Sequence, residues 1–99
     1  MRVNVETGIG VHWEAAQSVG TAAYWAFGSL AEEVSQVDVD LHVSVIGPEC
    51  AVRIVLRDGH QLLATSTGTA IDDAIRFALR RAAATLRRRH EVIRILERR

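Results

Sequence analysis

The charged side chains in the last quarter of the chain are the residues whose types and spacing could do chemistry. Nine of the twelve basic residues lie between Arg76 and Arg99, and all of them are arginine. Guanidinium groups bind phosphate bidentately, so such a cluster is typical of a polyanion-binding surface. At about 100° per helical residue, Arg76, Arg80, Arg87, Arg94 and Arg98 fall within roughly 40° of one another, with Arg81, Arg88 and Arg99 beside them.

Metal chemistry and cofactor chemistry find little support in the remaining residues. The histidines are scattered over different predicted elements, and none forms a pair at helical metal-ligand spacing. Cys50 has no second cysteine to accompany it. We therefore expect no metal site and no cofactor. The histidines concerned are His12, His42, His60 and His90.

Acid–base and nucleophilic chemistry are equally poorly supported. Asp38 and Asp40 lie on the same side of a predicted strand, where paired carboxylates could move protons but more often form the solvent face. Gly8-Ile9-Gly10 begins like a dinucleotide fingerprint but lacks its third glycine. No Ser–His–Asp arrangement follows from the spacings. We expect a protein that is not an enzyme.

The charge is unevenly divided along the chain. Residues 1–75 contain ten acids and three arginines, a balance of −7, whereas residues 76–99 carry +7. Such a dipole can steer one face toward a polyanion. Alternatively, the acidic part offsets the basic helix within one molecule or between copies. With 99 residues, 48% of them apolar, and one cysteine, we expect one domain over 1–99 in a reducing, cytoplasmic compartment, without a membrane span.

Apolar spacing predicts the elements that position these residues. Ile71 to Arg99 reads as a helix with a basic tail from about residue 90, and His12 to about Ser35 reads as another helix. Alternation predicts strands over Met1–Thr7 and Asp38–Ile46, with a turn at Gly47-Pro48-Glu49. Two further strands follow, Ala51–Arg57 and His60–Thr67. We predict a two-layer α+β sandwich of order β-α-β-β-β-α, with a four-stranded mixed sheet and both helices on one face.

The first helix presents a different surface from the last. Its apolar stripe includes Ala23, Phe27 and Val34, and Trp25 projects roughly opposite that stripe. An exposed tryptophan beside small residues is typical of a contact surface. Trp25, Thr21 and Gly28 are therefore candidate protein-interface residues.

Several segments resemble the ribosome hibernation-promoting factor and ribosome-associated inhibitor A family, in its short form. The resemblance covers about residues 2 to 90 and depends on diffuse patterns taken together. In that family an aspartate-rich segment that contains an aromatic residue leads into an Ala-Ile pair, and a leucine followed by cations comes about ten residues later. In this chain Asp72 replaces the expected aromatic residue. The matching segments are Val3-Asn4-Val5-Glu6-Thr7-Gly8, Asp38-Val39-Asp40-Leu41-His42-Val43, Asp58-Gly59, Ile71-Asp72-Asp73-Ala74-Ile75 and Leu86-Arg87-Arg88-Arg89.

The resemblance implies the same β-α-β-β-β-α fold and binding to ribosomal RNA in the decoding channel of the small subunit, where messenger and transfer RNA are blocked. Arg81, Arg87 and Arg88 match basic positions of the family, and helical geometry adds Arg76, Arg80 and Arg94 as RNA-binding candidates. The chain departs from the family on its first helix, where lysines are usual, because no cation lies between Arg2 and Arg53.

Two functional hypotheses follow. The first is a hibernation factor that binds small-subunit ribosomal RNA through the arginine-rich helix and inhibits translation. The second is a non-enzymatic interaction or homodimerisation module on the same fold, which uses the neutral first helix around Trp25.

Overall fold

The computed structural model describes residues 1–98. Its strands are β1 (Arg2–Thr7), β2 (Val34–Ser44), β3 (Gly47–Leu56) and β4 (Gln61–Thr67). Between β1 and β2 lie two short helices, α1 (Glu14–Gln17) and α2 (Val19–Phe27), and a 3₁₀ segment, Gly28–Glu33. Helix α3 (Ile71–Glu97) follows β4. Arg99, the last residue of the predicted helix, lies outside the described residues.

The four strands form one mixed sheet in the order β1-β2-β3-β4. β1 runs parallel to β2, as expected for strands joined by a helical crossover, and the other two pairings are antiparallel. One face of the sheet packs against α2 and α3, and the opposite face is uncovered. The predicted α+β class and the mixed four-stranded sheet are confirmed.

The core lies between the sheet and the two longer helices. Alternate residues of β2 and β3, such as Leu41 and Ile54, are fully buried in the same core cluster as Phe27 of α2. From α3, Leu79 and Leu86 complete the layer. The predicted apolar stripes of both helices are therefore confirmed in the part of the molecule where helix and sheet overlap.

The stripe of α3 continues past the core. Ile93 is 38% exposed and Leu96 is 61% exposed, although both have the helical phase of the buried residues. A helix of 27 residues is about 40 Å long, and the molecule measures 50 Å along its longest axis. Ile93 and Leu96 are left uncovered by the rest of residues 1–98, because the last turns of α3 extend beyond the sheet.

The predicted first helix is wrong in its extent. Helix α2 ends where Gly28 adopts φ 56°, a backbone conformation that favours glycine, and the chain tightens into the 3₁₀ segment. Val34, expected on the helical stripe, is instead the first residue of β2 and is fully buried. Its burial is compatible with either element, because a helix and a strand both place it toward the core.

The turn between β2 and β3 also differs from its prediction. The strands are joined by Val45 and Ile46 alone, and Pro48 and Glu49 belong to β3. Gly47 has φ 120° and so permits the abrupt reversal. Pro48 is the second residue of β3 and lies opposite Val43 of β2. Proline has no backbone N–H to donate, and this is tolerated at the start of a strand.

Candidate nucleic-acid interface

The outward side of α3 carries the predicted anion-binding residues, and all six are exposed. The apolar residues of the same helix are buried against the sheet, so its geometry turns the arginines toward solvent. We refer to this set as the arginine surface. It consists of Arg76, Arg80, Arg81, Arg87, Arg88 and Arg94.

The arginine surface is divided into two rows, whereas the sequence suggested that its arginines lie together on one side of the helix. Arg87 donates from Nη2 to the carbonyl oxygen of Ala26 in α2, at 3.0 Å. Arg81 donates from Nη1 to the carbonyl oxygen of Thr65 in β4, at 2.9 Å. One row therefore borders α2 and the other borders β4. By helical phase, the α2 row is Arg76, Arg80, Arg87 and Arg94, and the β4 row is Arg81 and Arg88.

Three guanidinium groups of the arginine surface remain available for a ligand. Within residues 1–98, Arg80, Arg88 and Arg94 make no ion pair and no side-chain hydrogen bond. Arg76 lies 3.8 Å from the Asp73 carboxylate, one helical turn away. An exposed pair at that distance contributes little to stability, so a phosphate can compete for Arg76 as well.

Arg89 has a structural role that separates it from its neighbours. It donates from Nη2 to Oδ2 of Asp58 at 2.7 Å. The backbone N–H of His60 and the Arg89 guanidinium lower the pKa of Asp58 to about 2. His90 lies 2.8 Å from the Glu33 carboxylate, so two contacts fix α3 where it leaves the sheet.

The candidate interface residues of the first helix are also exposed. Thr21, Trp25 and Gly28 all lie away from the core, and Trp25 is 83% exposed. The expectation that Trp25 points away from the buried stripe is confirmed. Trp25 shares a groove with Arg76 and Arg80, so two surfaces that the sequence treated separately are adjacent.

Phe77 was missed by sequence reasoning. It is 42% exposed and lies beside Arg80 and Arg81 in a cleft bordered by Thr65 and Thr67 of β4. Its helical phase places it between the two rows of arginines, outside the apolar stripe. An aromatic residue away from the stripe and next to arginines was the signal that could have identified it.

Acidic side chains on the uncovered face of the sheet form hydrogen bonds with other side chains of the sheet. Asp38 accepts hydrogen bonds from Nδ2 of Asn4 at 3.0 Å and from Nη2 of Arg53 at 2.6 Å, and these contacts lower its pKa. Ser44 and His42 lower the pKa of Glu49 in the same way, and Nε2 of His42 lies 2.6 Å from Glu49. These acids are part of cross-strand networks.

The residues that the structure describes offer neither a metal-binding cluster nor a reactive thiol. Among residues 1–98, no group of three or more His, Cys, Asp or Glu side chains is placed to hold a metal ion. Cys50 is buried, and burial raises the pKa of its thiol to about 12, with a further contribution from Asp40. In residues 1–98, no helix has the length and apolar character needed to cross a membrane.

Comparisons with known proteins identify relatives of the fold. The sequence matches no protein-family model and no curated protein. Among solved structures, a ribosomal subunit interface protein from Coxiella burnetii superposes with a TM-score of 0.79 over 92% of this chain and 99% of that one, at 13% identity. The N-terminal domain of Protein Y from Thermus thermophilus superposes with a TM-score of 0.71 over 89% and 98%, also at 13% identity. At this identity the likeness shows the fold.

Proposed function

We propose that this protein is a divergent hibernation-promoting factor that associates with ribosomes in the cytoplasm, binds RNA of the small subunit and inhibits translation. The observation that carries the proposal is a fold shared along nearly the whole chain with a protein named for the ribosomal subunit interface. The segments quoted above for the family resemblance lie on β1, β2, the β3–β4 hairpin and α3 of that fold.

The arginine surface supplies the RNA-binding chemistry in this proposal. Arg80, Arg88 and Arg94 are exposed and, within residues 1–98, unpaired, so each can form a bidentate contact with a phosphate without first losing a partner. Rows of arginine along a helix contact a phosphate backbone and read its shape, which suits structured RNA. Bound in the decoding channel, the protein would exclude messenger and transfer RNA.

Co-sedimentation with purified small ribosomal subunits tests this function. We expect binding at about 50 mM salt that weakens by roughly two to three orders of magnitude near about 200 mM, because four to six arginines are available for phosphate contacts. The double variant Arg80→Glu/Arg88→Glu should lose binding, because it reverses two charges that have no ion-pair partner within residues 1–98. Arg2→Glu, the same substitution at a single exposed arginine of β1, is the control for charge reversal elsewhere on the protein and should bind like the parent protein. Failure of the parent protein to bind at low salt would refute the proposal.

A second candidate function is a protein contact through the first helix. The observation that favours it is the exposure of Trp25 next to Thr21 and Gly28. A Cβ atom added to Gly28 would meet no atom within 4 Å, so the surface beside Trp25 is open. In this case the protein forms a homodimer or binds a protein partner through α2. Sedimentation equilibrium tests it, since Trp25→Ala would then lower the solution mass from dimer to monomer.

A further inference from the structure

We propose that Trp25 is a stacking platform for an unpaired nucleobase, whose flanking phosphates are bound by Arg76 and Arg80. This inference rests on the proposed function and names the form of RNA that the surface accepts. It also assigns to α2 a role in RNA binding that its lack of basic residues would otherwise exclude. No lysine or arginine occurs from Glu14 to Glu33, so any contribution of that segment must come from something other than charge.

The groove between α2 and α3 has the composition of a base-binding slot. Its deeper lining is apolar, because Leu79 is buried and Ala22 and Ala26 are half-buried. The exposed side chains at its border are the Trp25 indole from α2 and two guanidinium groups from α3. Within residues 1–98, no carboxylate lines the groove. An aromatic face, small apolar neighbours and cations on the opposite side are the elements that bind single-stranded nucleic acid.

The charge around the groove favours a nucleic acid over an apolar protein segment. Arg80 makes no ion pair within the described part of the chain, and Arg76 has only its 3.8 Å neighbour Asp73. An apolar partner that covered Trp25 would also bring Arg80 out of water without compensating its charge, which is costly. A nucleotide covers the indole with its base and supplies a phosphate to the arginine in the same contact.

The geometry also selects an unpaired base. Bases within an A-form duplex are stacked on their neighbours, and their faces are inaccessible. A base in a loop, a bulge or a single strand can leave its stack and cover Trp25. Duplex RNA can contact the arginines through its phosphates and still leave the indole exposed. The arginine surface and Trp25 should therefore respond differently to the two forms of RNA.

Fluorescence of Trp25 reports directly on stacking. The Trp13→Phe protein retains Trp25 as its only tryptophan. We expect a uridine oligonucleotide of about ten residues, within the usual site size of such surfaces, to quench this fluorescence, and a duplex of similar length to bind with little quenching. Binding of the single strand, followed independently by anisotropy of a labelled oligonucleotide, with unchanged Trp25 fluorescence would overturn the stacking proposal and leave the ribosome proposal intact.

Affinity measurements separate stacking from charge. Trp25→Ala should weaken binding to the oligonucleotide and to small subunits about tenfold, with the salt slope unchanged, because no phosphate contact is lost. Trp25→Phe should restore most of the affinity. Arg80→Gln, by contrast, should lower the slope of log affinity against log salt by about 0.7 on the single strand.

Two results would count against the stacking role. Undiminished affinity of Trp25→Ala for both ligands would refute it, whatever happens to the arginine variants. A fall in solution mass of Trp25→Ala with unchanged RNA affinity would refute it as well, and would assign Trp25 to a protein contact. Absence of RNA binding by the parent protein would instead refute the proposed function and this inference together.

Discussion

At the scale of single residues, chemically identical arginines have distinct roles. Arg87, Arg88 and Arg89 are consecutive, yet the first contacts α2, the second has no partner among residues 1–98, and the third forms an ion pair with Asp58. Sequence phase alone distinguished Arg89 from the outward residues. It could not show that Arg87 contacts the Ala26 carbonyl, because this contact depends on how closely α2 and α3 pack.

Substitutions at the neighbouring residues Arg87 and Arg88 should differ in their effect on stability. Arg87→Gln removes the hydrogen bond to the Ala26 carbonyl and should lower the free energy of unfolding by about 0.5–1.5 kcal/mol. Arg88→Gln removes the same charge at a site that has no partner among residues 1–98 and should leave stability within about 0.5 kcal/mol of the parent protein. Urea unfolding followed by circular dichroism measures both changes. Equal destabilisation by the two variants would show that Arg87 does not connect the helices.

The Asp58 carboxylate should make stability depend on acidity. Its pKa in the folded protein is about 2, below the ordinary value of 3.8, so the folded state favours the charged form. The resulting stabilisation is present above the unfolded-state pKa and is lost as the pH falls toward about 2.

Asp58→Asn is a suitable variant because Asn-Gly retains the turn preference of Asp-Gly. Its melting temperature should lie below that of the parent protein at about pH 7. The difference should shrink as the pH falls from about 5 to about 2. A difference that stays constant over this range would exclude the Asp58 charge as its source.

At the scale of elements, the sequence predicted the helices and strands whose hydrophobic residues recur with a clear period. The strong 3.6-residue period of α3 and the alternation in β2 and β3 predicted the type and order of these elements, since burial of one face imposes the pattern, although both strands begin four residues earlier than predicted. The end of α2 could not be predicted in this way. A glycine such as Gly28 can lie inside a helix or can end one. Here the helix must end, because Val34 is already the first residue of β2.

Two glycines should respond oppositely to the same substitution. A Cβ atom on Gly20, in α2, meets no atom within 4 Å, so Gly20→Ala should stabilise the protein by about 0.5–1 kcal/mol through backbone entropy. A Cβ atom on Gly68 would lie 2.8 Å from the backbone nitrogen of Ala74, where β4 passes into α3.

Gly68→Ala should therefore destabilise the protein by about 1–3 kcal/mol, because backbone must move to accommodate the methyl group. Thermal unfolding of the two variants beside the parent protein measures the contrast. A stabilised Gly68→Ala protein would show that α3 can shift freely at its first turn.

At the scale of the whole molecule, the sandwich separates opposite charges onto different surfaces. The acids of β1, β2 and β3 lie on the uncovered face of the sheet, and the arginine surface lies on the far side of α3. The sequence showed this asymmetry as −7 against +7 along the chain. Folding converts it into a molecule with one cationic side, which can approach a polyanion in one orientation.

The salt dependence of RNA binding should measure how many arginines contact phosphate. Each contact adds about 0.7–0.9 to the slope of log affinity against log salt. The double variant Arg80→Gln/Arg88→Gln should therefore reduce the slope by about 1.4–1.8, whereas Arg2→Gln changes the net charge without removing a contact and should leave the slope unchanged. Equal slopes for the parent protein and the double variant would mean that Arg80 and Arg88 contact no phosphate. A reduced slope in Arg2→Gln would place the uncovered face of the sheet against the RNA.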